Sequence, residues 1–168
     1  MASKPMTPNG YQKWSTPDWI FEMLNDEFQF DVDVCAVPET AKCGHYYTPE
    51  TNGLKQKWTG VCWCNPPYDD KDSWLAKGME SAMNGATVVF LLPNSTETNW
   101  WWDYCLKGEI RFIRQRVNFG GISQNGNTSG SAIIVFYPGL PEDRQITKWC
   151  DYRQMYYDKY NPKLFEVR

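Results

Sequence analysis

Residues 62–68 read CWCNPPY, and Asn65-Pro66-Pro67-Tyr68 are the residues of this chain whose chemistry is most readily named. Two consecutive prolines remove two backbone donors and fix two φ angles, so an apolar strand reaching Cys64 must leave its sheet there. Asn65 then presents a carboxamide at the lip of the sheet. The Pro-Pro step aims the Pro66 carbonyl outward with little freedom. Two acceptors held close together suit a planar –NH2 group, which has two protons to give. Tyr68 adds a ring face for stacking, worth about 1–3 kcal/mol per base. An exocyclic amine is a weak nucleophile because its lone pair is delocalised into the ring. Hydrogen bonds to both its protons favour the pyramidal, more nucleophilic nitrogen and stabilise the positive charge that develops during attack. No strong general base is required, which suits a chain with a single histidine, His45. In isolation the same four residues make a turn. Their place after a buried strand is what favours chemistry.

That strand needs neighbours. Residues 1–13 read as a loose arm, and Thr16-Pro17 starts a helix, with Thr16 as N-cap and Pro17 at the first helical position. Apolar residues at 19, 20, 23, 24 and 28 give this helix one buried face. FQFDVDVCA reads as a strand ending inside the protein, PETAKC as a short turn or helix, HYYT as a short strand and PETNG as a turn. GVCWCNPPY is the next strand, and DSWLAKGMESAMNG a helix that stops at Gly85. ATVVFLLPN is a fully buried run of the parallel-sheet kind. TNWWWDYCLKG is helical, EIRFIRQRVNFG a strand that bends near Gln115, and SAIIVFYPG the final strand after a Gly/Asn/Ser loop at 120–130. The tail from Pro141 carries a helix over DRQITKWCDYRQMYY. Alternating strands and helices imply an α/β fold with a mainly parallel sheet and an antiparallel last strand. In such a sheet DVCA, NPPY and LPNSTE converge on the carboxyl edge, where ligands bind.

A length of 168 residues fits one domain covering the whole chain, with 140–168 as a C-terminal tail. The chain is 16% aromatic, which excludes disorder; by composition the rings read first as a Trp-rich core and rim, and second as a pocket for flat ligands. No apolar run approaches a membrane span, and the first ten residues lack a signal core, so a soluble, cytoplasmic protein is expected. Cys35, Cys43, Cys62, Cys64, Cys105 and Cys150 contain no C-x-x-C pair, and Cys62 and Cys64 share one face of a strand. They read as small hydrophobes, and no metal site is expected. Net charge is −3, yet residues 107–139 carry Lys107, Arg111, Arg114 and Arg116 against Glu109 alone. That patch reads either as a phosphate footprint or as an arginine-guarded sheet edge.

NPPY resembles the catalytic motif of amino methyltransferases that use S-adenosylmethionine (AdoMet). Together KWSTPDWIFEMLNDEFQFDVDVCA, AKCGHYYTPETNGL, VCWCNPPY, TVVFLLPNSTETNWW and EIRFIRQRVNFG resemble the phage-type DNA N6-adenine methyltransferases, the Dam family, over residues 13 to about 137. The resemblance implies a Rossmann-like methyltransferase fold, AdoMet as cofactor, DNA as partner and action in the host cytoplasm. It places Asn65, Pro66, Pro67 and Tyr68 in the catalytic motif. Asp33, Cys35 and Ala36 would lie beside the methionine end of AdoMet, and Asn52, Gly53 and Leu54 near its adenine. Trp14, Thr16 and Pro17 would match the cofactor-contacting segment before the first strand. Arg111, Arg114 and Arg116 would contact DNA phosphates, and the 120–130 loop would close on DNA. The chain departs from the family's pattern at AVPET, which replaces the usual glycine-rich loop, and at Asn52, where an Asp is expected. Glu50 is the candidate ribose-binding acid.

Two other readings remain at this level. The same chemistry could act on a protein Gln amide or an RNA base. A module of the same fold could bind without catalysing. Polyanion binding and AdoMet binding distinguish them.

Overall fold

The computed structural model describes residues 15–119 and 129–161. The arm with Trp14, loop residues 120–128 and the last seven residues lie outside the described residues. In chain order the elements are α1 (Asp18–Phe28), β1 (Val32–Asp33), β2 (Val61–Cys64), α2 (Lys71–Met83), β3 (Thr87–Pro93), α3 (Asn99–Asp103), β4 (Glu109–Ile113), β5 (Ser131–Phe136), β6 (Thr147–Cys150) and α4 (Tyr152–Tyr160). The strands form one six-stranded sheet in the order β1-β2-β3-β5-β4-β6. β1, β2 and β3 run parallel, and β6 runs parallel to β4. β5 lies antiparallel between β3 and β4. The arrangement is the expected mainly parallel, Rossmann-like sheet with one antiparallel strand.

Strict alternation divides the core. Cys62, Cys64, Val88, Phe90, Leu92, Ala132, Ile134 and Phe136 bury one face of the sheet together with Trp74 and Leu75 of α2 and Trp100 and Trp101 of α3. Trp63, Val89, Leu91, Ile133 and Val135 bury the other face, under Ile20, Phe21 and Leu24 of α1 and Tyr152 of α4. Burial on both faces is what makes β3 and β5 read as continuous apolar runs. Helix α2 lies close on the first face because Gly78 has no side chain, and a Cβ there would meet the Phe90 ring at 2.5 Å.

Three local expectations are corrected. Helix α1 begins at Asp18 with Pro17 as its cap residue, whose carbonyl accepts from the amides of Ile20 and Phe21. Thr16 is therefore not the N-cap. HYYT forms only a bridge at Tyr46 to Asp33. The stretch read as one helix in the tail divides into β6 and α4, so β5 is not the last strand. β6 is an edge strand exposed along most of its length, and its Trp149 stacks on Phe112 at 4.7 Å. Asp151 separates the two elements, and its carboxylate caps α4 by accepting from the Gln154 amide. β4 ends at Ile113, and Gln115 takes a left-handed backbone with φ of 67°, the expected bend.

Arg111, expected at DNA phosphates, is committed to the interior of the fold. It is 4% exposed, on the α1/α4 side of β4. Its guanidinium donates to both carboxylate oxygens of Glu27 at 2.7 Å, to the Tyr152 hydroxyl at 3.1 Å, and to Glu109. Glu109 is fully buried and also receives Lys148 at 3.1 Å. The cluster joins α1, β4, β6 and α4, and its guanidinium is taken up by partners within the protein. Removing one partner from such a network leaves a buried charge uncompensated. Arg111→Ala should destabilise the protein by about 3 kcal/mol or more, measured by urea unfolding.

Candidate active site

The carboxyl ends of β1, β2 and β3 lie side by side, with Asp33 opposite Trp63 and Cys64 opposite Phe90. DVCA, NPPY and LPNSTE therefore meet on one edge, as expected of stretches that follow three adjacent parallel strands. The chain after β3 is held there by the Asn94 amide, which donates to the Gly130 carbonyl at 3.1 Å just before β5.

The NPPY corner turns immediately into α2, with the Asp70 amide donating to the Pro67 carbonyl at 3.2 Å. The first residue of α2, Lys71, donates from its ammonium to the Tyr68 carbonyl. That ammonium lies 5.7 Å from the Tyr68 ring centre and 5.3 Å from that of Trp100. The Tyr68 ring is half-buried, and Phe119 packs edge-on against it at 6.3 Å. Burial pushes the Tyr68 hydroxyl well above its ordinary pKa, so the phenol stays neutral and serves as a surface, not a base. Asn65 Nδ2 donates to the Thr16 hydroxyl at 3.4 Å. Asn65 Oδ1 is buried and accepts no hydrogen bond among the described residues. Such an acceptor costs about 1–3 kcal/mol unless something supplies a donor. It is the feature of this edge that asks for a ligand.

The DVCA corner is more self-contained. The two Asp33 oxygens accept from the amides of Cys35 at 3.2 Å and Lys42 at 3.1 Å. The Val34 amide donates to the Trp63 carbonyl at 3.0 Å, and that of Ala36 to Tyr47 at 2.9 Å. Every amide from Val34 to Ala36 is thus engaged within the protein. Cys35 is buried in the core, and burial raises its thiol well above the ordinary range. Asn52 takes a left-handed backbone (φ 54°), and Gly53 then passes so close to β1 that a Cβ would lie 2.1 Å from the Val34 carbonyl. Only glycine fits, and the 52–54 turn is fixed beside the end of β1 as a result.

The structure thus brings Thr16, Pro17, Asp33, Cys35, Ala36, Asn52, Gly53 and Leu54 to the same end of the sheet as Asn65–Tyr68. Trp14 lies outside the described residues. Glu50 is exposed, and a hydrogen bond from Thr48 lowers its pKa. Arg114 is exposed and paired with Asp151 at 3.0 Å, and Arg116 is exposed beyond the bend. Both fall after the end of β4, so strand alternation does not set their directions. The sequence reading passed over Lys71 and Phe119. Lys71 had a weak local signal, a cation placed three residues after Tyr68 where α2 begins. Phe119 had none.

Burial is the largest influence on Asp33 and pushes its carboxyl up to about 6, against the amide bonds from Lys42 and Cys35 that lower it. A carboxyl raised in the folded state keeps its proton longer than in the unfolded chain, so ionising it costs folding free energy. Its contribution is most favourable below about pH 4 and is lost as pH rises through about 6. The stability of the wild type minus that of Asp33→Asn should therefore fall by about 3 kcal/mol between pH 4 and pH 7. Urea unfolding of both proteins across that range measures it; a flat difference would mean that the Asp33 carboxyl is not raised in the folded state.

The family model described as DNA N-6-adenine-methyltransferase (Dam) matches residues 5–158. A DNA N-6-adenine-methyltransferase of Haemophilus phage HP1 is 32% identical over 139 residues, covering 76% of this chain and 80% of the phage protein. One of Escherichia phage T1 is 28% identical over 148 residues, covering 73% of this chain and 61% of that protein. A putative methyltransferase of Escherichia coli K12, YfdM, is 39% identical over 64 residues, which is 33% of this chain and 70% of that protein. This chain belongs to the DNA N-6-adenine-methyltransferase (Dam) family.

Proposed function

We propose that this protein transfers a methyl group from AdoMet to the exocyclic N6 amine of adenine in DNA. The observation that carries the reading is the buried Asn65 Oδ1, which has no donor among the described residues and heads a Pro-Pro-Tyr corner. Family membership supports adenine in DNA over other planar amines. The phage relatives support the host cytoplasm as the place of action.

The residues at the edge suit AdoMet by their chemistry. An adenosyl group needs apolar walls and few polar partners, which Pro17 and Leu54 would provide beside the Asn52 carboxamide. Gly53 brings that turn against the end of β1, where Asp33, Cys35 and Ala36 would flank the methionine end. Because the Val34–Ala36 amides are already engaged, recognition there uses carbonyl oxygens and the remaining lone pairs of Asp33. The bound cofactor supplies an electrophilic methyl group on a sulfonium. Asn65 Oδ1 and the Pro66 carbonyl accept the two amine protons of the target base and stabilise the charge that grows on its nitrogen. Tyr68 stacks on the base, and Lys71 holds the loop that carries Tyr68. A base inside a duplex must first be flipped out, at a cost of a few kcal/mol. Stacking on Tyr68 offsets part of that cost. The proton leaves the nitrogen once it is cationic, when water suffices as the acceptor.

Incubation with labelled AdoMet and unmethylated DNA, followed by nucleoside mass spectrometry, should yield N6-methyladenine. Label in another base, or in none, would refute the reading. Asn65→Ala should lower the single-turnover rate about 100-fold or more, as loss of one oxyanion-type contact does. AdoMet affinity, measured by calorimetry, should remain nearly unchanged. Near-normal turnover in that variant would remove Asn65 from the chemistry.

Arg114 and Arg116, exposed past the end of β4, are the arginines we assign to DNA phosphates. Replacing both with Ala should reduce the slope of log K against log salt by about 2 and leave sequence preference intact. DNA affinity at several salt concentrations measures the slope, with light scattering on the same samples. An unchanged slope with aggregation would identify the pair as guards of the sheet edge.

A further inference from the structure

The carboxamide of Asn65 and the hydroxyl of Thr16 are 49 positions apart in sequence and hydrogen-bonded in the fold. The place of Thr16 is built. It is 3% exposed, and it precedes α1, whose Ile20, Phe21 and Leu24 are buried on the sheet. Phe21 packs edge-on against Trp63 at 5.6 Å, and Trp63 lies two residues before Asn65 on β2. Asn65 follows the last residue of β2 directly, so the contact that seats α1 also carries Thr16 toward it. The bond takes up Nδ2, a donor with nothing to offer an amine, and leaves Oδ1 as the open end. A hydroxyl can serve either end of a carboxamide, so its part is to anchor the group in one plane. Rotating the carboxamide by half a turn would place –NH2 against the –NH2 of the substrate, donors facing donors.

Building on the adenine methylation reading, we propose that Thr16 is a positioning residue for Asn65: its hydroxyl holds the carboxamide with Oδ1 toward the target amine, instead of binding the cofactor. The segment before α1 then acts on the substrate side of the reaction. α1 aligns the catalytic carboxamide as it docks.

The test uses the full chain, with AdoMet and an unmethylated DNA duplex as probes. Thr16→Val keeps the shape of the side chain and removes the hydroxyl; Thr16→Ser keeps the hydroxyl. At saturating AdoMet, Thr16→Val should lower the single-turnover rate about 10-fold, as expected for one lost hydrogen bond. AdoMet and duplex dissociation constants should change less than twofold, and Thr16→Ser should restore the rate. In an Asn65→Ala background, Thr16→Val should have no further effect, because a residue that acts through another is silent once that other is gone. Thermal unfolding accompanies each variant, and Thr16→Ala replaces the Val variant if the latter fails to fold. A weakened AdoMet affinity with an unchanged rate at saturation would make Thr16 a cofactor contact and overturn the proposal. Additive rate losses in the double variant would overturn it too. No N6-methyladenine from the wild type would defeat the methylation reading, and this inference with it. A wild type that methylates while Thr16→Val matches its rate would defeat this inference alone.

Discussion

A proline has no N–H to give a sheet, and two in succession oblige β2 to end while its flanks are still buried. Everything at the candidate site follows from that forced exit. Cys64 closes the apolar run, and Asn65 is the first residue past the last rung, so its carboxamide is left at the lip with neither strand pairing nor bulk water to satisfy it. The Pro67 carbonyl closes a turn, Lys71 opens α2, and Tyr68 is suspended between them under the Lys71 ammonium. β1 ends beside Trp63 while β3 runs on to Pro93, and the chain after each folds back on itself: Asp33 gathers the amides of Cys35 and Lys42, and Asn94 binds Gly130. Much of the edge is thus bonded within the protein, while Asn65 Oδ1 has no donor among the described residues.

The buried ion cluster lies at β4, with β3 and β5 between it and β2. The buried ions sit on the α1/α4 side of β4, where Arg111, Glu27, Glu109 and Lys148 neutralise one another. Asn65, the prolines, Tyr68 and Thr16 are neutral. A reaction that builds positive charge on an amine is helped by dipoles set in place beforehand, and neutral dipoles need no counter-ion when the site is empty of charge. The buried phenol of Tyr68 follows the same logic, since its raised pKa keeps it from adding an anion beside the target.

What could be read from the sequence was what local pattern controls. β2, β3 and β5 were legible because burial on both faces leaves unbroken apolar runs, and the NPPY corner because two prolines admit few alternatives. β6 was not legible. An exposed edge strand carries no burial signature, and TKWC followed by DYRQMYY scans as one helix until Asp151 is seen to cap the second half. Arg111 misled for a different reason. Counting charges along residues 107–139 omits Glu27, which arrives from 84 positions away. The edge of the site was legible as three polar stretches after three strands, yet the pairing of Thr16 with Asn65 was not, because nothing local announces a contact between a helix start and a distant strand end. Thr16 had looked like an ordinary N-cap, a role the structure gives to Pro17.

Strand order in this sheet differs from chain order at one place, and synthesis must contend with it. β4 is made before β5, yet β5 is the strand that fills the space between β3 and β4. Until Phe136 has left the ribosome, the nascent chain holds the β1-β2-β3 fragment and a β4 with no partner strand. One edge of β3, among the most apolar segments of the protein, stays unpaired throughout that interval. Unpaired apolar edges are the usual origin of misassembly in sheets that depend on distant segments. Completing the sheet is therefore a late event in the life of the chain. Ribosome-bound lengths ending between Ile113 and Ser131 are those with the greatest need of a chaperone.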